Sequence, residues 1–177
     1  MNKNALLKIA AVLIALAAGF FQEQVKININ YQLERGATIP GFFNMNAGER
    51  LQAVKEDRDL LAFDYYYNHG RLPWLYQFSQ PNLVRLKWIF TLVFVLVFFF
   101  VNRWVLLLFC KGRLYHGLLT WTYTVAFALA LLIYAVGRFA GSAEQTYTLS
   151  RHIVGALQSV VPAVLMYIHF LFERITK

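Results

Sequence analysis

The chain is short of three things: cysteine, charge and any recognisable catalytic motif. One cysteine, Cys110, in 177 residues excludes an internal disulfide and any cysteine-based metal cluster. It also excludes the paired thiols that membrane disulfide exchange requires. Charged residues make up 15% of the chain, where about 25% is usual in soluble proteins. The hydrophobic fraction is 59%, and exchanging the ten Tyr for the ten Gly leaves it there, against about 45–50% in soluble domains. A water-soluble globule is therefore excluded. Gly-rich phosphate loops, HExxH zinc motifs and GxSxG elbows are all missing, so no cofactor or metal is expected. There is no internal repeat, no low-complexity tract and no pair of discontinuous helices of the kind transporters use.

The net charge of +8 invites a nucleic-acid reading, which its distribution removes. Residues 22–84 hold six bases and seven acids, whereas the other segments hold eleven bases and only Glu144 and Glu173. The excess lies in the apolar spans and their flanks, where Lys and Arg set orientation and meet lipid phosphates. No basic stripe tracks a nucleic-acid backbone, so anionic lipid is the charged partner to expect.

Four stretches are long enough to cross about 30 Å of hydrocarbon: Ala5–Phe21, Leu86–Leu108, Leu118–Gly137 and His152–Phe172. In hydrocarbon each backbone amide needs an internal partner, so the spans are helices. Lys3, the apolar run and Ala15-Leu16-Ala17 also describe a cleavable secretory signal; Lys8 within the run and the Gly19-Phe20-Phe21 continuation favour a retained anchor. The segments 1–4, 109–117 and 174–177 are dense in bases, carrying Lys3, Lys111, Arg113, Arg174 and Lys177, which predicts cytoplasmic N and C termini.

The expected fold class is therefore membrane α-helical, with four transmembrane helices and a small α+β extracytoplasmic insertion between the first two. The domains read as 1–21 (first helix), 22–84 (outside domain) and 85–177 (three further helices over 86–108, 118–137 and 152–172). In the insertion, Val25, Ile27, Ile29, Tyr31 and Leu33 alternate with polar residues, which predicts a strand over 25–34. A turn follows at Gly36 to Gly41. Asn46-Ala47-Gly48-Glu49 has the form of a capping box opening a helix over about 47–61. Aromatics concentrate over 63–78, including Tyr65, Tyr66 and Trp74, either as a collar on the membrane surface or as a binding face. Ser79-Gln80-Pro81 marks the next helix start.

Polar residues within the spans are the candidates for function. Arg103, beside Asn102, is placed to snorkel to the headgroups. In the fourth span Arg151, Gly155, Gln158 or Ser159, and Pro162 follow helical spacing, and Gly155, Ser159 and Ala163 form a small-xxx-small series, a face that packs on an internal or a partner helix. His152 and His169 are 17 residues apart, about 25 Å along a helix, and cannot share a metal. An Asp64/His69 acid–base pair lacks a nucleophile or a third ligand, and a Cys110/His116 thiol site is weighed against a small residue simply packed at the end of an apolar helix.

The order of elements resembles the small membrane proteins associated with bacterial exosortases, particularly the exosortase X-associated type. The resemblance is carried by Val25-Lys26-Ile27-Asn28-Ile29-Asn30-Tyr31, Asp64-Tyr65-Tyr66-Tyr67-Asn68-His69, Pro73-Trp74-Leu75-Tyr76, and Ser150 to Ser159 with Pro162. It implies a bacterial inner-membrane accessory to a protein-sorting system, working beside an integral-membrane, exosortase-like partner. The chain does not resemble the exosortase itself, which is larger and places Cys, Arg and His toward the exterior. The expectation is a non-enzymatic subunit that binds a partner through Ile27, Ile29, Tyr31, Tyr65, Tyr66 and Trp74 outside, and through Arg151, Gly155, Gln158, Ser159 and Pro162 in the bilayer. The alternative is a membrane-interface enzyme using Asp64/His69 or Arg151/His152.

Overall fold

The computed structural model describes residues 3–56, 72–110 and 113–175, and every regular element within them is a helix. The order is α1 (Lys3–Thr38), a 3-10 turn (Phe42–Asn44), α2 (Ala47–Glu56), a 3-10 turn (Pro73–Gln77), α3 (Gln80–Phe109), α4 (Arg113–Phe139), α5 (Ala143–Leu157) and α6 (Val161–Ile175). Three helices, α1, α3 and α4, are long and apolar enough to cross a membrane, and α5 with α6 passes the same test as a pair bent by 60°. The protein is thus a helical, multi-pass membrane protein. It divides into two compact units, Met1–Gly19 with Val93–Lys177, and Phe20–Leu92.

The α+β insertion is not what forms. The expected strand over 25–34 is instead the second half of α1, a single 36-residue helix about 54 Å long. The period-two pattern is also compatible with a helix. Gln22, Val25, Ile29 and Gln32 are all buried and recur at intervals of three and four, while Glu23 and Glu34 stay exposed. No Gly or Pro separates this segment from the apolar helix before it, and each added residue then gains a hydrogen bond without a new nucleation step. Asn28 closes locally on this face, its Nδ2 donating to the Gln24 carbonyl at 2.8 Å.

In the second unit, the capping box forms as its residues predict. The Glu49 amide donates to Asn46 Oδ1 at 2.9 Å, and the Asn46 amide to Glu49 Oε2 at 2.8 Å. The described helix is Ala47–Glu56; the rest of the expected 47–61 helix lies outside the described residues, as does 63–71 of the aromatic segment. Tyr31, Phe42, Val54 and Tyr76 make the apolar core, with Leu51 and Phe43 packed against it. Gly36 lets α1 end close beneath the Phe43 ring, in space that a Cβ would occupy.

Arg50 binds this core together. Its side chain is buried, and its guanidinium donates to four backbone carbonyls: Met45 (3.0 Å), Phe43 (2.7 Å), Tyr76 (3.1 Å) and Phe78 (2.7 Å). It also lies over the Phe43 ring at 5.1 Å. One side chain therefore joins the 3-10 turn before α2, α2 itself and the segment leading into α3. Burial pulls its pKa below the ordinary arginine value.

The first unit packs through narrow faces. In the first unit's part of α1, Ala11 and Ala15 are buried, and Gly19 continues their spacing toward Phe98, whose ring would stand 3.8 Å from a Cβ there. The buried positions of α3 in this unit include Phe94, Phe98, Asn102 and Leu106, with Cys110 just past its end, and those of α4 include Tyr115, Leu119, Tyr123 and Ala130. α4 and α5 form a close hairpin, where Gly137 leaves the space that Thr146 fills. Much of the exposed remainder is apolar, as a lipid-facing surface requires, with Leu13, Leu96, Leu132 and Leu165 among its residues.

Two outcomes follow for the second unit. Arg50→Met keeps the side-chain stem but orphans four carbonyls, and should cost about 2–4 kcal/mol. Hydrogen exchange should then show lost protection over residues 45–54 with α4 unchanged; protection equal to wild type would remove Arg50 from this role. Burial, with a smaller contribution from Tyr31, pushes the Tyr76 hydroxyl up from 10.0 to about 12. A folded pKa above the unfolded one gives stability that is complete below pH ~10 and lost as pH rises toward ~12. Tyr76→Phe should abolish that alkaline loss in a pH-dependent unfolding series.

Candidate functional site

The expected fourth span over 152–172 is two helices, α5 and α6, joined at residues 158–160. Pro162 supplies the cause: it has no N–H for the carbonyl four residues earlier, Gln158, and its ring would clash with that oxygen, so α5 cannot continue through it. Read as a face residue, Pro162 is in fact the breaker, buried in the second position of α6. The discontinuous helix that sequence reading did not find is therefore present in this chain.

A break within this apolar helix pair frees backbone carbonyls that hydrocarbon could not satisfy. Three side chains take them up. Tyr123 of α4 donates its hydroxyl to the Leu157 carbonyl at 2.7 Å. Asn102 of α3 donates Nδ2 both to the Ser159 carbonyl at 2.8 Å and to the Tyr123 hydroxyl at 2.7 Å. Ser159 Oγ donates to the Ala156 carbonyl at 2.6 Å and accepts from the Val161 amide at 3.2 Å, so it serves both helix ends. Asn102 is fully buried and its Oδ1 has no hydrogen-bond partner; the carbonyl of Ser159 fixes which way the amide faces, because that oxygen only accepts. Arg103, one residue on, is exposed.

The outward face of α5 is the second feature. Its depth is set by contacts along the α4–α5 hairpin: Tyr134 against Tyr147 (ring centroids 6.4 Å), Ser150 Oγ on the Ala130 carbonyl (2.8 Å), and Tyr123 on Leu157. Arg151 and His152 therefore lie level with residues 127–129, about 15 Å inward from the Phe139 end of α4. Both side chains are exposed there, beside apolar residues such as Leu129 and Leu131 of α4. Thr148 is exposed one turn before them, and Gly155 one turn after has nothing within 4 Å of where a Cβ would stand.

The predicted site residues thus divide. Arg151, His152 and Gly155 look outward, whereas Gln158 and Pro162 are buried in the bundle. The Gly155, Ser159 and Ala163 series is interrupted by the break, and Ala163 packs in the core formed with Tyr123 and Leu157. Ile29 and Tyr31 are buried in the second unit and Ile27 is half-buried, so they present no strand edge. Trp74 is exposed and packs edge-on to Phe78 at 6.0 Å. Asp64, Tyr65, Tyr66 and His69 lie outside the described residues.

Cys110 is buried with Leu106, Tyr115 and Leu119, in the manner of a small apolar residue rather than a nucleophile. At the same end Tyr115 donates to Glu173 at 2.7 Å, and His169 stands 3.9 Å from the same carboxylate. Among the described residues, no three His, Cys, Asp or Glu side chains gather as a metal site. No family model, curated protein or solved structure matches the chain.

The Asn102–Tyr123 pair was missed because the two lie 21 residues apart on different spans; an amide within a long apolar run was the available signal. Asn102→Leu and Tyr123→Phe should each lower stability by about 1–2 kcal/mol in detergent unfolding. Because the two share a hydrogen bond, the double variant should cost less than the sum. Strict additivity would show that they act separately.

Proposed function

We propose that this chain is a non-enzymatic membrane subunit that crosses the bilayer four times and docks an integral-membrane partner against the outward face of α5. Four crossings are favoured because Lys8 sits on Phe109, Phe109 on Tyr167, and Tyr115 on Glu173, which brings the start of α1, the end of α3, the start of α4 and the end of α6 to one end of the unit. A re-entrant α5–α6 pair would return its end to the Ser142 side instead.

The observation that carries the docking reading is the pair Arg151 and His152, exposed at a level where the neighbouring helix is apolar. An arginine facing lipid at that depth is costly, and among the described residues neither side chain makes a hydrogen bond or ion pair. A partner helix resolves the cost by bringing a carboxylate or carbonyl to the guanidinium, and uncovered Gly155 lets its backbone come close. The resemblance of the Ser150 to Ser159 segment, with Pro162, to exosortase-associated proteins gives this partner a class: the integral-membrane enzyme of a bacterial inner-membrane sorting system. By the density of Lys and Arg, both termini are cytoplasmic.

A benzophenone amino acid placed at Gly155, with the chain in its native membranes, should give one discrete protein adduct on irradiation. The same probe at Leu132, on the exposed side of α4, should give lipid adducts only. Adding Arg151→Leu should remove the protein adduct while leaving the amount of inserted chain unchanged. Lipid adducts alone at Gly155 would contradict the reading.

A further inference from the structure

We propose that the end of the first unit built from Lys8, Phe109, Tyr167, Phe170 and Arg174 binds the phosphate headgroups of anionic phospholipids. Lys8 places its ammonium 4.8 Å from the Phe109 ring centroid, and Arg174 places its guanidinium 5.3 Å from that of Phe170. The rings between them are continuous: Phe109 meets Tyr167 edge-on at 5.7 Å, and Tyr167 stacks on Phe170 at 6.4 Å. An aromatic shelf thus holds two cations at its ends, with their donors left over for a ligand.

The charge balance says which ligand. The unit, residues 1–19 and 93–177, contains nine Lys and Arg and only two carboxylates, Glu144 and Glu173. Glu173 is the one at this end, and Tyr115 and His169 engage it. Among the described residues, Lys8 and Arg174 therefore have ring faces but no acid. Exposed Leu7, Leu107 and Leu171 lie next to or within three residues of these residues, a surface for acyl chains that a free phosphate would leave uncovered. A phosphate carried on a lipid satisfies both the cations and the apolar flank.

Native mass spectrometry of the full chain, extracted in mild detergent from mixed phosphatidylglycerol and phosphatidylethanolamine vesicles, tests this. Wild type should retain phosphatidylglycerol in preference. Lys8→Gln and Arg174→Gln should each lower that retention by about fivefold, the worth of one cation near the surface. Arg138→Gln, at the other end of α4, should leave it unchanged, and Lys8→Arg should restore it, which separates binding from misfolding. Retention unaffected in the Lys8→Gln/Arg174→Gln double variant would overturn the proposal. So would release of the lipid by excess inorganic phosphate, which would mark a site for the soluble anion.

Discussion

Hydrocarbon cannot hydrogen-bond a carbonyl, and the first unit depends on how this chain answers that constraint at one place. Pro162 ends α5 within the apolar α5–α6 pair and leaves carbonyls that lipid could not satisfy. Tyr123 and Asn102 reach them from two other helices, so the break is also the point where α3, α4 and the α5–α6 pair are joined. The rest of the packing is consistent with this junction being the specific one. The α1 face is small and apolar, the α4–α5 hairpin relies on Gly137, and neither supplies directional bonds between three helices.

The second unit solves a related problem differently. It is small, and its core of Tyr31, Phe42, Val54 and Tyr76 is modest for the number of irregular turns it must hold. A buried guanidinium does what a sheet would otherwise do: Arg50 collects carbonyls from segments that have no regular partner. Using a charge in this way is costly unless every donor is occupied, and five N–H groups on a planar fork suit several carbonyls better than an ammonium does.

Much of the fold was legible in the sequence, for reasons that particular residues show. Long apolar runs fixed the helices that cross the membrane, and the Asn46/Glu49 box and Ser79-Gln80-Pro81 marked helix starts correctly, because these signals act locally. The strand over 25–34 failed because alternation of apolar and polar residues leaves helical spacing equally open, and continuity with the preceding helix decided between them. The single fourth helix failed because Pro162 was weighed as part of a spacing pattern rather than as a missing donor. At the candidate site, Arg151 and Gly155 were found by their spacing, but whether they faced inward or outward depends on how α4 packs, which no local pattern encodes. Asn102 with Tyr123 and Ser159, and Arg50 with the Tyr76 and Phe78 carbonyls, are partnerships across 21 to 57 residues of chain, invisible until the helices are assembled.

A four-span bundle requires α5 and α6 together to make one crossing, broken but not reversed. Single cysteines introduced at Glu144 and at Ile175 of a Cys110→Ala chain, and labelled with an impermeant maleimide in right-side-out and inverted vesicles, measure this directly. One crossing predicts that the two positions react from opposite sides of the membrane. Reaction of both from the same side would make the pair a re-entrant loop and contradict the four-span bundle.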